Sequence, residues 1–280
     1  MIYLEGEHVN PKKKSLKDEG FAVYRQSNLK NYYTCPHMFN LAQTLPEESV
    51  SQLIESKNTK MGLLFEGYVF GFKTPEEDIK GIGTAVKDRL KNAAEYVNNY
   101  PLNKIIQFGA DTPLGEFWKG GKSYYDQMVI GETLAISGEA DFFHEEFGFI
   151  DLKHTEEISK AGWTGEMKKY ERMQCIVYPF MKYIGTGKIH PFYYVIVETK
   201  HSVPVIRVMK YTPTKQDFEW IKKEINLIHS DPFFHPFQDE YGNNCLKQSY
   251  GATRARCKFL QHCVHGRELL GGFHEIKFSD

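Results

Sequence analysis

A chain of 280 residues with 41% hydrophobic and 25% charged residues can bury a substantial core, and it suits one large domain or one domain with an appendage. A formal net charge of -1 excludes a global basic field, so binding to nucleic acid has to rely on local patches such as Lys12-Lys13-Lys14 or Lys168-Lys169, and such runs are more often solvated surface. No run approaches the roughly 18 apolar residues of a membrane span, and MIYLEGEHVN lacks a signal-peptide core, so an intracellular protein with no membrane partner is expected.

In such a chain five cysteines point to metal binding, catalysis or burial rather than to a disulfide framework. Residues 1–26 are polar. Ser27 is a candidate N-cap for a helix, SNLKNYYTCPHMFNLAQ, which carries Cys35 and is disturbed by Pro36. A polar connection leads to a second helix, TKMGLLFEGYVFGF, where a spacing of four and three puts Gly62, Glu66 and Val69 along one side. Glu66 is therefore a carboxylate on an otherwise apolar helix, either an exposed helix-face glutamate or part of a site. An amphipathic helix is predicted over residues 75–100, ending at Pro101. A strand is predicted over residues 104–108, followed by a glycine-rich loop, KGGKS, that lacks the context of a phosphate-binding loop.

Residues 132–157, ETLAISGEADFFHEEFGFIDLKHTEE, predict two strands joined by a tight turn in which Gly148 takes a positive φ. With the turn centred on Glu146, Asp141 lies opposite Asp151, and Lys153 projects from the same face as Asp151 because strand side chains alternate. Like charges opposed across an antiparallel pair are destabilising. A hard divalent cation such as Mg²⁺ or Mn²⁺ would offset the repulsion; an exposed strand face with a solvated Asp-Lys pair is the plainer reading.

The run GEMKKYERMQCIVYPFMKYI predicts a helix over residues 165–184, stopped by Gly185-Thr186-Gly187. Its apolar stripe is Tyr170, Met173, Val177 and Met181, and Gln174 and Tyr178 lie four apart on the stripe's edge. They are either a polar pair satisfied inside the protein or functional groups. Two strands, PFYYVIVET and VIRVMKYT, and an amphipathic helix, TKQDFEWIKKEINLIHS, complete the pattern. The fold class expected is α/β, a mixed central sheet flanked by helices. Its divisions are a polar segment at 1–26, a core at 27–230 and an irregular, aromatic-rich tail at 231–280 that carries Cys245, Cys257 and Cys263.

In this order Glu66, Asp141, Asp151-Leu152-Lys153 and Gln174-x-x-x-Tyr178 resemble the motifs of the PD-(D/E)XK nucleases, specifically the RecB-like branch with QxxxY. Glu66 stands where many members carry His, and the resemblance covers roughly residues 27–265. It implies a restriction-endonuclease-like core and a divalent-metal-dependent deoxyribonuclease. Glu66, Asp141, Asp151 and the Leu152 carbonyl would hold Mg²⁺ or Mn²⁺, Lys153 would act on the nucleophilic water, and Gln174 and Tyr178 would contact the DNA backbone.

Members with an iron-sulfur cluster, including the AddB nuclease domain and the CRISPR-adaptation nucleases, use one upstream and three downstream cysteines. Cys35, Cys245, Cys257 and Cys263 would correspond, with five residues between the last pair as in those families, and eleven between Cys245 and Cys257 where they have two. Four thiolates suit a 4Fe-4S cluster clasping the tail to the N-terminal helix; zinc is the competing metal. Cys175 reads as a core thiol. The resemblance points to an exonuclease acting at DNA ends in recombination, repair or phage DNA processing, in the cytoplasm of a prokaryote or phage-infected host. Partner proteins and homo-oligomers occur among such enzymes. The alternatives are a structure-specific endonuclease and a non-catalytic DNA-binding or complex-assembly module.

Overall fold

The fold is a computed structural model and describes residues 16–26, 29, 32, 39–41, 57–106, 111–116, 124–158 and 172–230. The chain divides into two compact units, residues 1–24 with 55–221 and residues 25–54 with 222–280. Cys35, Cys245, Cys257, Cys263, the KGGKS loop and Tyr170 lie outside the described residues.

The first unit has two sheets flanked by helices. In one, β1 (Ala22–Arg25), β3 (Leu134–Ala140) and β2 (Tyr124–Val129) lie in the order β1-β3-β2, and β2 pairs with β3 antiparallel from Tyr124 opposite Ala140 to Val129 opposite Ala135. The other is mixed and runs β4-β5-β6-β7: β4 (Phe142–His144), β5 (Gly148–Thr155), β6 (Phe192–Glu198) and β7 (Val205–Tyr211). The β4-β5 and β6-β7 pairs are antiparallel, and β5 and β6 are parallel. Every residue of β6 is buried, as expected for a Val- and Ile-rich central strand covered on both faces.

Two helices, α1 (Lys57–Phe70) and α2 (Thr84–Asn98), lie against each other. Met61, Leu64, Phe65 and Val69 of α1 join Leu90, Ala93, Ala94 and Val97 of α2 in one apolar cluster. The helical spacing of three and four gathers each set on one side. The cluster also contains Phe142, Ile150, Leu152, Tyr193, Val195 and Val197, so it covers one face of the mixed sheet. A third helix, α3 (Arg172–Thr186), contacts β2, β3, β5 and β6. Its Tyr178 ring stands 6.2 Å from that of Phe149 and 6.1 Å from that of Phe192, on the opposite face from the α1-α2 cluster. The last helix, α4 (Lys215–Ser230), begins with a reciprocal cap: Thr214 N–H donates to Asp217 Oδ2 at 2.7 Å, and Asp217 N–H donates to Thr214 Oγ1 at 3.3 Å.

Several sequence expectations are met. The turn after β4 closes in the predicted register, with Phe142 opposite Ile150 and His144 opposite Gly148; the ladder ends there, and Asp141 reaches β5 through its side chain. Gly148 has φ +94°, and a Cβ there would stand 2.2 Å from the Pro191 carbonyl oxygen. Others are corrected. The first arm of the predicted hairpin is two strands in two sheets, because the chain bends at Asp141 and β3 pairs with β2 instead. The helix expected over residues 75–100 starts only at Thr84, since residues 76–81 form turns that end in Gly81 at φ +92°. The strand expected over residues 104–108 is in its described part a 3-10 turn, Leu102–Lys104, and a bend. Strand β2 has no counterpart among the predicted elements.

Candidate active site

Strand β4 pairs with β5 only as far as Ile150, so the outer edge of β5 beyond that point is left open by β4. Asp141, at the bend, fills the gap: its Oδ2 accepts the Leu152 N–H at 2.8 Å. This side-chain bond replaces a missing ladder bond and fixes the carboxylate beside the strand. Two residues along β5, Lys153 Nζ stands 2.5 Å from Asp151 Oδ2. Asp151 is 2% exposed and Lys153 31% exposed, so the pair runs from the interior outward.

The other oxygen of Asp151 is held from α3. Gln174 Nε2 donates to Asp151 Oδ1 at 3.2 Å, and Gln174 Oε1 accepts from the Tyr194 hydroxyl at 3.1 Å. Tyr194 sits directly across the parallel ladder from Asp151. Asp151 Oδ2 is buried and faces the Lys153 ammonium, so one oxygen of the carboxylate is held by an amide and the other by a charge.

Glu66 arrives from α1, half-buried. Burial first, then the Asp141 charge, with Asp151 adding and Lys153 opposing, pushes its pKa up to about 7. Burial likewise raises Asp151 to about 7, against Lys153 and with Asp141, and it raises Asp141 against Lys153 and the Leu152 N–H. For Lys153 burial works to lower the pKa, but the charges of Asp151, Asp141 and Glu66 outweigh it and hold the ammonium above its ordinary range. Three carboxyl groups that act on one another around one lysine therefore share protons as a group. Tyr178 is buried, and burial pushes its hydroxyl up to about 12 while a hydrogen bond with Gln174 works against the shift.

The predicted residues are thus brought to one place from α1, the β3-β4 bend, β5 and α3. Gln174 is turned to Asp151, and the ring of Tyr178 is buried against the sheet. Tyr194 escaped the sequence reading because PFYYVIVET reads as a wholly buried strand, and only the β5-β6 register sets one of its tyrosines beside Asp151.

The candidate ligand atoms of this cluster are carboxylate oxygens, which is the chemistry of Mg²⁺ or Mn²⁺. Among the described residues no group of three or more His, Cys, Asp or Glu side chains stands ready to hold a metal ion. That is compatible with Mg²⁺, which is commonly held by one or two carboxylates with water and substrate phosphate in the remaining positions. Among the described residues no helix is long and apolar enough to cross a membrane.

No protein-family model matches the chain, and no curated protein sequence does. Solved structures do. A protein provisionally named an exonuclease, from Eubacterium rectale, superposes with a TM-score of 0.52 over 98% of this chain and 97% of its own, at 15% identity. The structure of SSO0001 aligns at a TM-score of 0.29 and 13% identity, over 91% of this chain and 96% of its own. The first likeness shows a shared fold over nearly the whole length of both chains.

Proposed function

We propose that the protein is a divalent-metal-dependent deoxyribonuclease, most simply an exonuclease that hydrolyses phosphodiester bonds at DNA ends. The observation that carries this reading is the convergence of Glu66, Asp141 and Asp151 on Lys153, with two of the three carboxyls raised to about 7. A chain gains nothing in stability by gathering buried like charges, so the cluster calls for a cationic partner. The fold shared with the protein named an exonuclease supports the same reading.

Held by Asp141 and Asp151, with Glu66 and the Leu152 carbonyl completing the shell directly or through water as the resemblance implies, Mg²⁺ or Mn²⁺ would supply a Lewis acid for the phosphodiester and a lowered pKa for its water. The residues do the rest. Asp141 is locked by the Leu152 N–H, and Asp151 by Gln174. Lys153 keeps its proton and offers a positive group to orient the attacking water or to meet the charge developing on the phosphate. Gln174 and Tyr178, which the resemblance implies as DNA-backbone contacts, are turned inward and support the site from α3 instead. Attack at DNA ends, and a role in recombination, repair or phage DNA processing, rest on the QxxxY resemblance. Action in the cytoplasm of a prokaryote or phage-infected host, with partner proteins or further copies of the chain, rests on the same resemblance.

The reading extends to a 4Fe-4S cluster on Cys35, Cys245, Cys257 and Cys263, with zinc as the competing metal. Its support is the cysteine pattern of the resemblance, one upstream and three downstream with five residues between Cys257 and Cys263.

A time course on end-labelled linear duplex and on closed circular single strands tests the activity, with each divalent metal and beside Lys153→Ala. Metal-dependent loss of label from linear DNA, absent in the variant, is expected. Cleavage of the circles would make it a structure-specific endonuclease. A non-catalytic DNA-binding or complex-assembly module is the second reading, favoured by the lack of a ready three-ligand group among the described residues; binding without cleavage would establish it.

A further inference from the structure

Both ends of the Gln174 amide are occupied. Nε2 donates to Asp151 Oδ1 at 3.2 Å and Oε1 accepts from the Tyr194 hydroxyl at 3.1 Å. A primary amide can turn over about its last torsion, and the turned form would aim a carbonyl oxygen at an acceptor-only carboxylate. The Tyr194 hydroxyl pins the productive form by donating to the oxygen end. Its own position is fixed twice. The residue is 1% exposed and stacked edge-on against Phe192, with ring centroids 4.9 Å apart. Its backbone is tied to that of Asp151 by the parallel ladder.

The relay therefore runs from one strand, through a helix, back to the neighbouring strand. It fixes Asp151 Oδ1 and with it the plane of the carboxylate. The direction of Oδ2, the oxygen that faces the Lys153 ammonium, follows. An ordinary core tyrosine needs only some partner for its hydroxyl. Here its partners are the Cys175 side chain and the Gln174 amide, which itself touches a candidate metal ligand.

We propose that Tyr194 is a positioning residue that acts through Gln174 to aim Asp151 Oδ2 at a divalent cation. This rests on the metal-dependent reading given above. Groups that orient a metal ligand from behind typically affect metal affinity or activity by 10- to 100-fold.

The test is calorimetric titration of the full chain with MnCl₂, without DNA, for wild type, Tyr194→Phe, Gln174→Met and the double variant, each with its melting temperature. Tyr194→Phe is expected to bind Mn²⁺ on the order of tenfold more weakly. Gln174→Met should lose at least as much, and the double variant no more than Gln174→Met, because the two side chains form one relay. Unchanged Mn²⁺ affinity in Tyr194→Phe, or losses that add in the double variant, overturns the proposal. Should Tyr194→Phe fail to fold, unchanged affinity in Gln174→Met overturns it equally. A wild-type chain that takes up no Mn²⁺ removes the metal-dependent reading itself, whereas wild-type binding beside an equally tight Tyr194→Phe removes only the relay.

Discussion

Lys153 and Asp151 are two residues apart on one strand, and each sets the charge state of the other. Removing the ammonium leaves Asp151 and Asp141 without their main compensating charge, so Lys153→Ala should drive their pKa values further up. Cleavage is expected to fall by roughly 10²- to 10³-fold while the circular dichroism spectrum is unchanged; full activity in both Lys153→Ala and Asp141→Asn would remove the mechanism. Because Glu66 and Asp151 are raised to about 7 without metal and must be ionised to bind one, Mn²⁺ affinity at limiting metal should climb with pH through about that value. The same shifts bear on stability when metal is chelated. A carboxyl with a raised folded pKa stabilises the fold fully below the ordinary carboxylate range and loses that contribution as pH rises through about 7. His154 acts in the opposite sense. Burial lowers it to about 4 while its Nε2 pairs with Thr199 Oγ1 at 2.9 Å, so its contribution is present above the ordinary histidine pKa and lost as pH falls toward 4. Glu66→Gln isolates the carboxyl: its urea midpoint relative to wild type should improve between pH 5 and pH 8, and a pH-independent difference would assign the shift elsewhere.

At the scale of elements, the β4-β5 turn carries the site's geometry. Gly148 combines φ +94° with a Cβ position 2.2 Å from a backbone oxygen, and neither can relax alone. Gly148→Ala should cost about 1–3 kcal/mol or more in chemical denaturation and reduce activity as well, since a slipped register separates Asp141 from Asp151. Loss of stability with full activity in the folded fraction would show that the register survives. Gly138 on β3 plays a comparable part for α3, because a Cβ there would lie 2.5 Å from the Tyr178 ring. Gly138→Ala should push the helix that carries Gln174 away from the sheet, at about 1–3 kcal/mol.

For the whole molecule, the proposed cysteine clasp makes a prediction independent of the nuclease site. Protein purified without oxygen should be brown from sulfur-to-iron charge transfer and contain iron, and Cys257→Ser should lose both. Colourless, iron-free protein would reject the cluster, and zinc on elemental analysis would replace it.

Several features were legible in the residues alone. Period-two alternation around Gly148 set the β4-β5 register, amphipathic spacing gave α1 and α4, and the ordered set Glu66, Asp141, Asp151, Lys153, Gln174 named the groups that the fold assembles. These are short-range signals, written by strand and helix periodicity and by backbone sterics at one glycine. Tertiary structure decided the rest. Alternation continues across Asp141, so nothing local reports that the chain changes sheets there. An apolar strand cannot say which of its tyrosines faces a carboxylate until a parallel neighbour fixes the register. The raised carboxyl pKa values likewise come from burial and from charges distant in sequence, which exist only once the layers have closed.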